Sequence, residues 1–145
     1  GVISGLTLKH GPAHLYRAMI EGVSFGTALI FETMRASGFS PKEVVICGGS
    51  TRSDLWTQIH ADTAGLPLVL TEVADAPALG SAILAAVGAG CYSDMIEASD
   101  AMVRVVRRVE PDPDRHTAYQ PFYEAYKDTY PAIADIVHRQ TRLGR

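Results

Sequence analysis

The sequence has few cysteines, and the two that it has, Cys47 and Cys91, stand far apart without a CxxC spacing. This argues against a secreted disulfide scaffold and favours the reducing environment of the cytoplasm. No apolar run is long enough for a signal peptide or a membrane span. The chain also lacks an excess of basic residues, since its formal net charge is -3. A basic face for binding nucleic acid is therefore not expected.

Histidines give no recognisable metal site. Among the five histidines, only His10 and His14 have a spacing of four residues. A glycine and a proline lie between them and interrupt the helix that would place both rings on one face. No metal ligand is predicted from this pair.

The remaining composition is that of one globular domain. The 145 residues are 47% hydrophobic and 20% charged, which suits a chain with a core and not a disordered chain. The chain opens with GVISGLTLKHGP, without an initiator methionine and already in an apolar rhythm punctuated by glycine. We therefore expect it to be part of a longer protein.

Hydrophobic periodicity predicts a long first helix between Gly11 and Gly38. Its apolar positions recur at steps of three and four and form one stripe, with small residues that permit close packing against a sheet. A proline suits the start of this helix, and Gly38 suits its end. The stripe comprises Leu15, Met19, Val23, Gly26, Ile30 and Met34.

Two strands and two helices are predicted next. The unbroken apolar run from Val44 to Cys47 predicts a central strand that is buried on both faces. A helix from about Arg52 to Ala64 is stopped by Gly65. The strand LPLVLTEV then leads into a helix of small residues, DAPALGSAILAAVGAG. In that helix Gly80 indicates the close approach of a bulky group, because glycine lowers helix stability.

The last third of the chain predicts a short helix near Met95, an edge strand or extended arm over residues 103–109, and a final helix after a linker rich in proline and aspartate. Aromatic residues share one face of the final helix, which favours a core stripe over a base-stacking platform. Contact with a second subunit of a homodimer is the other possibility. The aromatic positions are Tyr119, Phe122, Tyr123, Tyr126 and Tyr130.

The order of helices and strands predicts an α/β fold, with a mixed sheet that is at least partly parallel and is flanked by helices. Within it, the segment VVICGGSTRSDLW places two glycines between a strand and a helix. The pair lacks the GxGxxG and GxxxxGK[ST] fingerprints, so by itself it indicates a plain turn more readily than a ligand site. Glycines at the carboxyl end of a strand also let backbone approach a ligand. The hydroxyls of Ser50, Thr51 and Ser53 are then either ligand contacts or helix caps.

Other polar residues do not form a catalytic set. Arg17 and Glu21 have the i,i+4 spacing of a structural ion pair. The DTAG sequence at 62–65 is similar to the DxxG of GTPases, but it falls at a predicted helix end, so Asp62 is interpreted as a polar helix residue. Glu72 and Asp75 do not have the context of a catalytic dyad, and no Ser-His-Asp set is present.

Three segments, in this order, resemble the C-terminal half of FGGY-family carbohydrate kinases: GLTLKHGPAHLYRAMIEGVSFG, CGGSTRSDLWTQIHADTAGLPL and APALGSAILAAVGAG. The resemblance covers nearly the whole chain and is tightest over residues 5–90. It implies an actin-like, ribonuclease-H-like ATPase domain, the C-terminal half of a two-domain kinase with a cleft between the domains. It also implies transfer of the γ-phosphate of ATP, with Mg²⁺, to a sugar hydroxyl, and overall similarity suggests a pentulose such as xylulose or ribulose.

The same resemblance implies that Gly48, Gly49, Ser50 and Ser53 line the adenosine pocket. The backbone of Gly49 is expected beside the nucleotide. The position of Ser53 is Asn or Ser in relatives, and it is expected to contact adenine. Gly80 receives a structural role in the helix that packs behind the pocket.

The family's catalytic aspartate and its DxGT-like phosphate-binding turn belong to the N-terminal domain, and this sequence contains neither. The ligands of Mg²⁺ are likewise expected mainly outside this chain. The resemblance therefore implies no catalytic residue here, and we expect no turnover by the chain alone.

The resemblance divides the chain into a nucleotide-binding core at residues 1–110 and a helical extension at 111–145 that packs on the same domain. The expected partners are the N-terminal sugar-binding domain, ATP and a small sugar, with no nucleic acid and no membrane. The alternative is a catalytically inactive actin-like binding or interaction module, because a fold does not determine a function. An upstream DxGT-type turn followed by an aspartate would favour the kinase, and a reading frame beginning near Gly1 would favour the module.

Overall fold

The structure is a computed structural model that describes residues 2–143. Gly1, the first residue of the predicted core at 1–110, and residues 144–145, the last of the predicted extension at 111–145, lie outside the described residues. Within the described part, short strands are interleaved with helices. The helices are α1 (Pro12–Ala36), α2 (Asp54–Ala64), α3 (Ala76–Gly88), α4 (Met95–Met102) and α5 (Pro113–Leu143). The strands are β1 (Val44–Ile46), β2 (Leu68–Thr71) and β3 (Val105–Val109), and a 3₁₀ turn at Gly49–Arg52 precedes α2.

The strands form a mixed sheet in the order β1-β2-β3. β1 runs parallel to β2, with Val45 opposite Val69. β3 runs antiparallel to β2, with Leu70 opposite Arg107, and the register shifts after Leu70. The mixed, partly parallel sheet confirms the predicted fold class. Of the two interpretations of residues 103–109, the edge strand is correct.

β1 is not the central strand that its apolar sequence predicts. Among the described residues it pairs only with β2, and the side chain of Val45 on one of its faces is 61% exposed. Val44 and Ile46 on the other face pack against the core between α2 and the sheet. Cys47, which follows the strand, is also exposed. An apolar run shows that a strand is partly buried, but it does not show how many of its faces are covered.

α1 uses a different face for packing from the one that periodicity indicates. It packs against α2 and α5, and its contact with the described strands is marginal at most. Four large residues of the predicted stripe are exposed, and the stripe does not pack against the sheet as expected; the four are Met19, Val23, Ile30 and Met34, whereas Leu15 is half-buried. Buried instead are Ile20, Ser24, Phe25 and Ala28. Ser24 donates a hydrogen bond to the carbonyl oxygen of Ile59, at 3.4 Å, which accounts for a serine in this interface.

α5 packs against α1 through part of its aromatic face. Tyr119 and Tyr123 are buried, and their ring centroids lie 5.9 and 6.0 Å from that of Phe25. The ring of Tyr126 lies 5.7 Å from the same phenylalanine. The predicted core stripe is thus correct for Tyr119 and Tyr123, whereas Tyr126 contacts Phe25 but is exposed. The prediction is wrong for the three exposed positions, Phe122, Tyr126 and Tyr130, because α1 covers a narrower and shorter part of α5 than the stripe occupies.

A buried carboxylate joins α5 to α2. The side chain of Asp62 is only 2% exposed, and its Oδ1 accepts hydrogen bonds from Gln58 at 2.7 Å and from the main-chain N–H of Asp112 at 2.9 Å. A guanidinium nitrogen of Arg115 lies 3.7 Å from Oδ2. Because buried carboxylates need such partners, Asp62 of the DTAG sequence is a structural residue and not part of a GTPase motif.

Gly65 ends α2 in the left-handed conformation, with φ 61°, as its position after the predicted helix indicates. The ring of His116 from α5 lies against it, and the Nδ1–H of His116 donates to the carbonyl oxygen of Asp62 at 2.8 Å. A Cβ atom at position 65 would stand 2.7 Å from the ring of His116. Both the backbone and the close packing therefore require glycine.

We expect Gly65→Ala to lower the free energy of unfolding by about 2–5 kcal/mol, because a left-handed alanine costs about 1–2 kcal/mol and an overpacked contact about 1–3 kcal/mol. Gly38→Ala is the matched control, since Gly38 has φ 88° but no atom within 4 Å of the added Cβ. Urea unfolding of both variants measures the difference. Equal losses would show that His116 places no restriction on position 65.

Candidate functional site

Two loops meet at the carboxyl ends of the parallel strands. The first loop, residues 47–53, follows β1, and the second, residues 72–75, follows β2. They are joined by a hydrogen bond in which the main-chain N–H of Gly48 donates to the carbonyl oxygen of Ala74, at 2.9 Å. Open α/β sheets bind ligands at this edge. The fold therefore places the glycine turn where a ligand site is expected.

Gly48 fixes the shape of the turn. Its backbone has φ 86° and ψ -167°, a combination that is essentially restricted to glycine. Its carbonyl oxygen accepts hydrogen bonds from the main-chain N–H of Thr51 at 3.2 Å and from the hydroxyl of Thr51 at 2.7 Å. The hydroxyl of Thr51, which the sequence left as either a ligand contact or a helix cap, therefore stabilises the turn instead. The first glycine of the pair is explained by folding alone.

Gly49 is not explained by folding. Its φ is not positive, and a Cβ atom built on it would have no described atom within 4 Å. An ordinary side chain would therefore fit here in the absence of a ligand. Open space beside the main chain of a constrained turn is the arrangement that a closely approaching ligand requires. The two glycines are equivalent in the sequence pattern, but only Gly48 is required by its backbone conformation.

Ser53 caps α2. Its backbone is extended, and its Oγ accepts a hydrogen bond from the main-chain N–H of Trp56, at 3.2 Å. The cap uses an oxygen lone pair and leaves the O–H free to donate. The free N–H groups and positive dipole end of α2 lie at the same place. Ser50 is half-buried within the 3₁₀ turn and adds a second hydroxyl.

Two acidic residues near the loops, Asp75 and Asp54, have structural partners. Oδ1 of Asp75 accepts from the main-chain N–H of Ala78, at 3.1 Å, and so caps α3. Asp54, at the start of α2, pairs with Arg107 of β3 at 2.5 Å. Both side chains of that pair are exposed, so it contributes little to stability.

A stacked aromatic pair follows the turn on α2, and sequence reasoning did not identify it. The rings of Trp56 and His60 are 4.6 Å apart and inclined by 23°. The ring of His60 is tied by its Nδ1 to the carbonyl oxygen of Trp56, at 2.9 Å. Burial lowers the pKa of His60 below its ordinary value, so the ring is neutral near pH 7. The i,i+4 spacing of the two residues was the available signal.

A groove of about 610 Å³ lies between α1, α2 and α5, and none of its lining residues belongs to the glycine turn. Its polar side chains are paired among themselves. Arg17 donates to Glu21 at 2.8 Å, which confirms the expected structural pair, and also to the hydroxyl of Tyr119 at 3.0 Å. That hydroxyl in turn donates to Glu21 at 3.0 Å. The closed network leaves no free charge that would select a ligand.

Gly80 is not approached by any group in the described structure, since nothing lies within 4 Å of a Cβ built on it. The bulky neighbour that its sequence context predicts is thus not found among residues 2–143. Over the same residues, no cluster of three or more His, Cys, Asp or Glu side chains has the placement of a metal site. No helix among them has the length and apolar character needed to cross a bilayer.

These observations define a class of protein: an α/β domain with a mixed sheet, in which a constrained glycine turn at the carboxyl end of a parallel strand leads into a capped helix. Residues 1–89 match the FGGY family of carbohydrate kinases, C-terminal domain. The chain belongs to this family, and its domain is the C-terminal domain of an actin-like fold.

Known relatives agree with this assignment. Ribulokinase of Mycolicibacterium smegmatis is 40% identical over 131 residues, which are 90% of this chain and 23% of the relative. Autoinducer-2 kinase of Escherichia coli (strain SMS-3-5) is 38% identical over 123 residues, 84% of this chain and 23% of the relative. The crystal structure of xylulose kinase from Rhodospirillum rubrum superposes with a TM-score of 0.81 at 29% identity, covering 93% of this chain and 28% of that one. The chain thus spans about a quarter of the length of the relatives it matches.

Proposed function

We propose that this chain is the nucleotide-binding part of an ATP-dependent carbohydrate kinase, and that the turn at residues 48–53 holds the adenosine of ATP. The observation that carries the proposal is the open space beside Gly49, in a turn whose shape Gly48 already fixes. Ligand approach gives a reason for a glycine that folding does not require. Membership of the FGGY family supports the same assignment.

Each residue of the turn has a distinct task in this proposal. Gly48 directs the turn, and Gly49 lets the main chain approach the adenosine closely. Ser50 and Ser53 offer hydroxyls, and the O–H of Ser53 donates to an adenine nitrogen while its oxygen continues to cap α2. The residues present therefore fit an adenosine group.

The remaining parts of the reaction lie elsewhere in the proposed enzyme. ATP-Mg²⁺ supplies the γ-phosphoryl group that is transferred to a sugar hydroxyl, and this chemistry depends on positioning and charge stabilisation around that group. We place the Mg²⁺ ligands and the catalytic base in an N-terminal sugar-binding domain of a longer, cytoplasmic protein. Residues 1–110 form the nucleotide-binding core, and 111–145 form the extension. The packing of α5 on α1 and α2 supports this division.

The proposed sugar is a pentulose, either xylulose or ribulose. A ribulokinase and a xylulose kinase among the relatives support this choice. The 38% identity to an autoinducer-2 kinase shows that similarity in this region accompanies more than one substrate. The choice of sugar therefore depends on residues outside this chain.

The test is a coupled kinase assay with ATP-Mg²⁺ and a panel of ribulose, xylulose and glycerol. The product of the complete reading frame is expected to phosphorylate a pentulose, and the 145-residue chain alone is expected to give no turnover. Turnover by the chain alone at a rate near that of the complete protein would contradict the assignment of roles. No turnover of any sugar by the complete protein would favour the inactive actin-like module.

Ser53 variants separate capping from nucleotide contact. Ser53→Ala is expected to lower the free energy of unfolding by about 1 kcal/mol, because it removes the cap. Ser53→Asp keeps the cap but has no proton to donate, so it retains stability and weakens nucleotide binding by about tenfold, the effect of one hydrogen bond. Ser53→Asn keeps both functions and is the control. Unfolding by urea and calorimetric titration with ADP give the two values, and unchanged ADP affinity in Ser53→Asp would leave Ser53 as a cap only.

A further inference from the structure

The C-terminal part of α5 has a side that the rest of the described structure leaves largely exposed. Its positions follow one another at steps of three, four and seven residues, so they stay on one side of a helix that is continuous to Leu143. At about 100° per residue they lie about 100–160° around the helix from the mean direction of Tyr119 and Tyr123, which α1 covers. We call this side the outer face of α5, and it comprises Ala125, Thr129, Ala132, Ile136 and Leu143.

The outer face of α5 is apolar, and its small residues permit close approach. Ile136 and Leu143 are 47% and 82% exposed, and both alanines are exposed as well. The hydroxyl of Thr129 donates to the carbonyl oxygen of Ala125 at 2.7 Å, so it needs no further partner when the face is covered. A seven-residue repeat of this kind is the pattern by which two helices pack along their length. The outer face therefore has the features of a surface that docks another helix.

Large and small residues alternate along the outer face so that it complements a copy of itself. When two copies of α5 lie antiparallel about a two-fold axis beside Ala134, positions equally distant from that residue face each other. Ala132 of one copy then meets Ile136 of the other, and Ala125 meets Leu143. Each large side chain thus lies opposite a small one, which is how helix surfaces interdigitate. The axis repeats every contact, as in the isologous interface of a two-fold dimer.

Two charges beside the outer face have the same symmetry. Asp128 and Arg139 are eleven residues apart, so they stand on one flank of α5, within about 20° of each other around the helix. Both are exposed, and among residues 2–143 neither has an ion-pair partner. In the antiparallel arrangement Asp128 of one copy comes opposite Arg139 of the other, within about one residue of the register that the apolar side chains set. Opposite charges therefore flank the helix pair twice.

We propose that the outer face of α5 binds a second copy of this protein, as an antiparallel helix pair around a two-fold axis beside Ala134. The occupant is argued from two independent matches at one register, large against small side chains and acid against base. The overlap of residues 125–143 is about 27 Å long at about 1.5 Å per residue. One helix pair of this length buries less than the about 1,200–2,000 Å² of a standard interface, so the dimer is expected to dissociate on dilution in the micromolar range.

Sedimentation velocity of the complete protein over a dilution series tests the dimer. The unaltered protein is expected to dimerise reversibly. Ile136→Glu places a carboxylate from each copy at the centre of the helix pair and is expected to weaken dimerisation at least about 100-fold, because unpaired charges are strongly unfavourable there. His138→Glu adds a carboxylate two residues further on, on the opposite side of α5, and is the matched control with an unchanged dissociation constant. A monomer at every concentration, or a dimer that Ile136→Glu leaves unchanged, would overturn the proposal.

Charge exchange tests the antiparallel register. Asp128→Arg is expected to weaken dimerisation by about tenfold, because both ion pairs become repulsions. Adding Arg139→Asp restores opposite charges across the axis and is expected to return the dissociation constant to within about threefold of its original value. A double variant that dimerises no better than Asp128→Arg would overturn the proposal. The affinity for ADP is expected to be unchanged in all these variants, because none of the substituted residues belongs to the turn at residues 48–53.

Discussion

Gly49→Leu is expected to lower the affinity of the complete protein for ADP by at least about 100-fold, or about 2.7 kcal/mol. The backbone at this position is ordinary, and the added side chain meets no described atom within 4 Å at its Cβ, so the protein folds normally. The leucine instead occupies the space proposed for adenosine. Isothermal titration with ADP measures the loss, and circular dichroism confirms the fold.

Gly88→Leu is the matched control. Gly88 also has an ordinary backbone and open space at its Cβ, but it is the last residue of α3. The first turn of α3 adjoins the glycine turn, and its last lies about 18–20 Å further along the helix. We expect ADP affinity within twofold of the unaltered protein. Equal ADP affinities of the Gly49→Leu and Gly88→Leu variants would contradict the proposal that adenosine binds at the glycine turn.

Phe25→Ala is expected to lower the free energy of unfolding by about 3–4 kcal/mol, the usual cost of removing a buried phenylalanine. Its ring is 7% exposed and contacts Tyr119, Tyr123 and Tyr126, so it holds α5 on α1. At about 2–4 °C per kcal/mol for a chain of this size, the melting temperature falls by about 10 °C.

Phe122→Ala removes the same side chain from a position that is 64% exposed. Its expected cost is below about 1 kcal/mol, because little buried contact is lost. Urea unfolding of both variants measures the difference. Similar losses would mean that α5 is held through a face other than the one that contacts Phe25.

The local order of elements was predictable because each signal is short in range. Gly65 after the apolar rhythm of α2 predicts the helix end, and the structure places it in the left-handed conformation. The aromatic periodicity of α5 identifies Tyr119 and Tyr123 as core residues. These features depend on backbone preferences and helical spacing, which the sequence displays directly.

What covers each apolar face was not predictable in the same way. Periodicity identifies the stripe on α1, but α1 packs through Ile20 and Phe25 and leaves Val23 exposed. The apolar run at β1 likewise predicts two buried faces, yet Val45 is exposed. A residue's hydrophobicity shows a tendency to be buried, whereas burial itself depends on partners distant in the sequence.

The candidate site was predictable as a segment but not in its division of tasks. The strand, the glycine pair and the following helix are visible in the sequence, and residues 48–53 form the predicted turn. The sequence does not distinguish Gly48, required by its backbone angles, from Gly49, which is not. Nor does it show that the carbonyl oxygen of Ala74 holds the turn, because main-chain hydrogen bonds leave no trace in residue type.

The most direct test of the account is an NMR titration of the isotopically labelled 145-residue chain with ADP. Binding is expected to be weak, because a second domain that would enclose the phosphates is absent from this chain. Even so, the account predicts saturable shifts of the Gly48, Gly49 and Ser53 amides, with the Gly38 amide, beyond the end of α1, unmoved. Unmoved signals at Gly48, Gly49 and Ser53 at saturating ADP, or shifts confined to another surface, would contradict the assignment of adenosine to this turn.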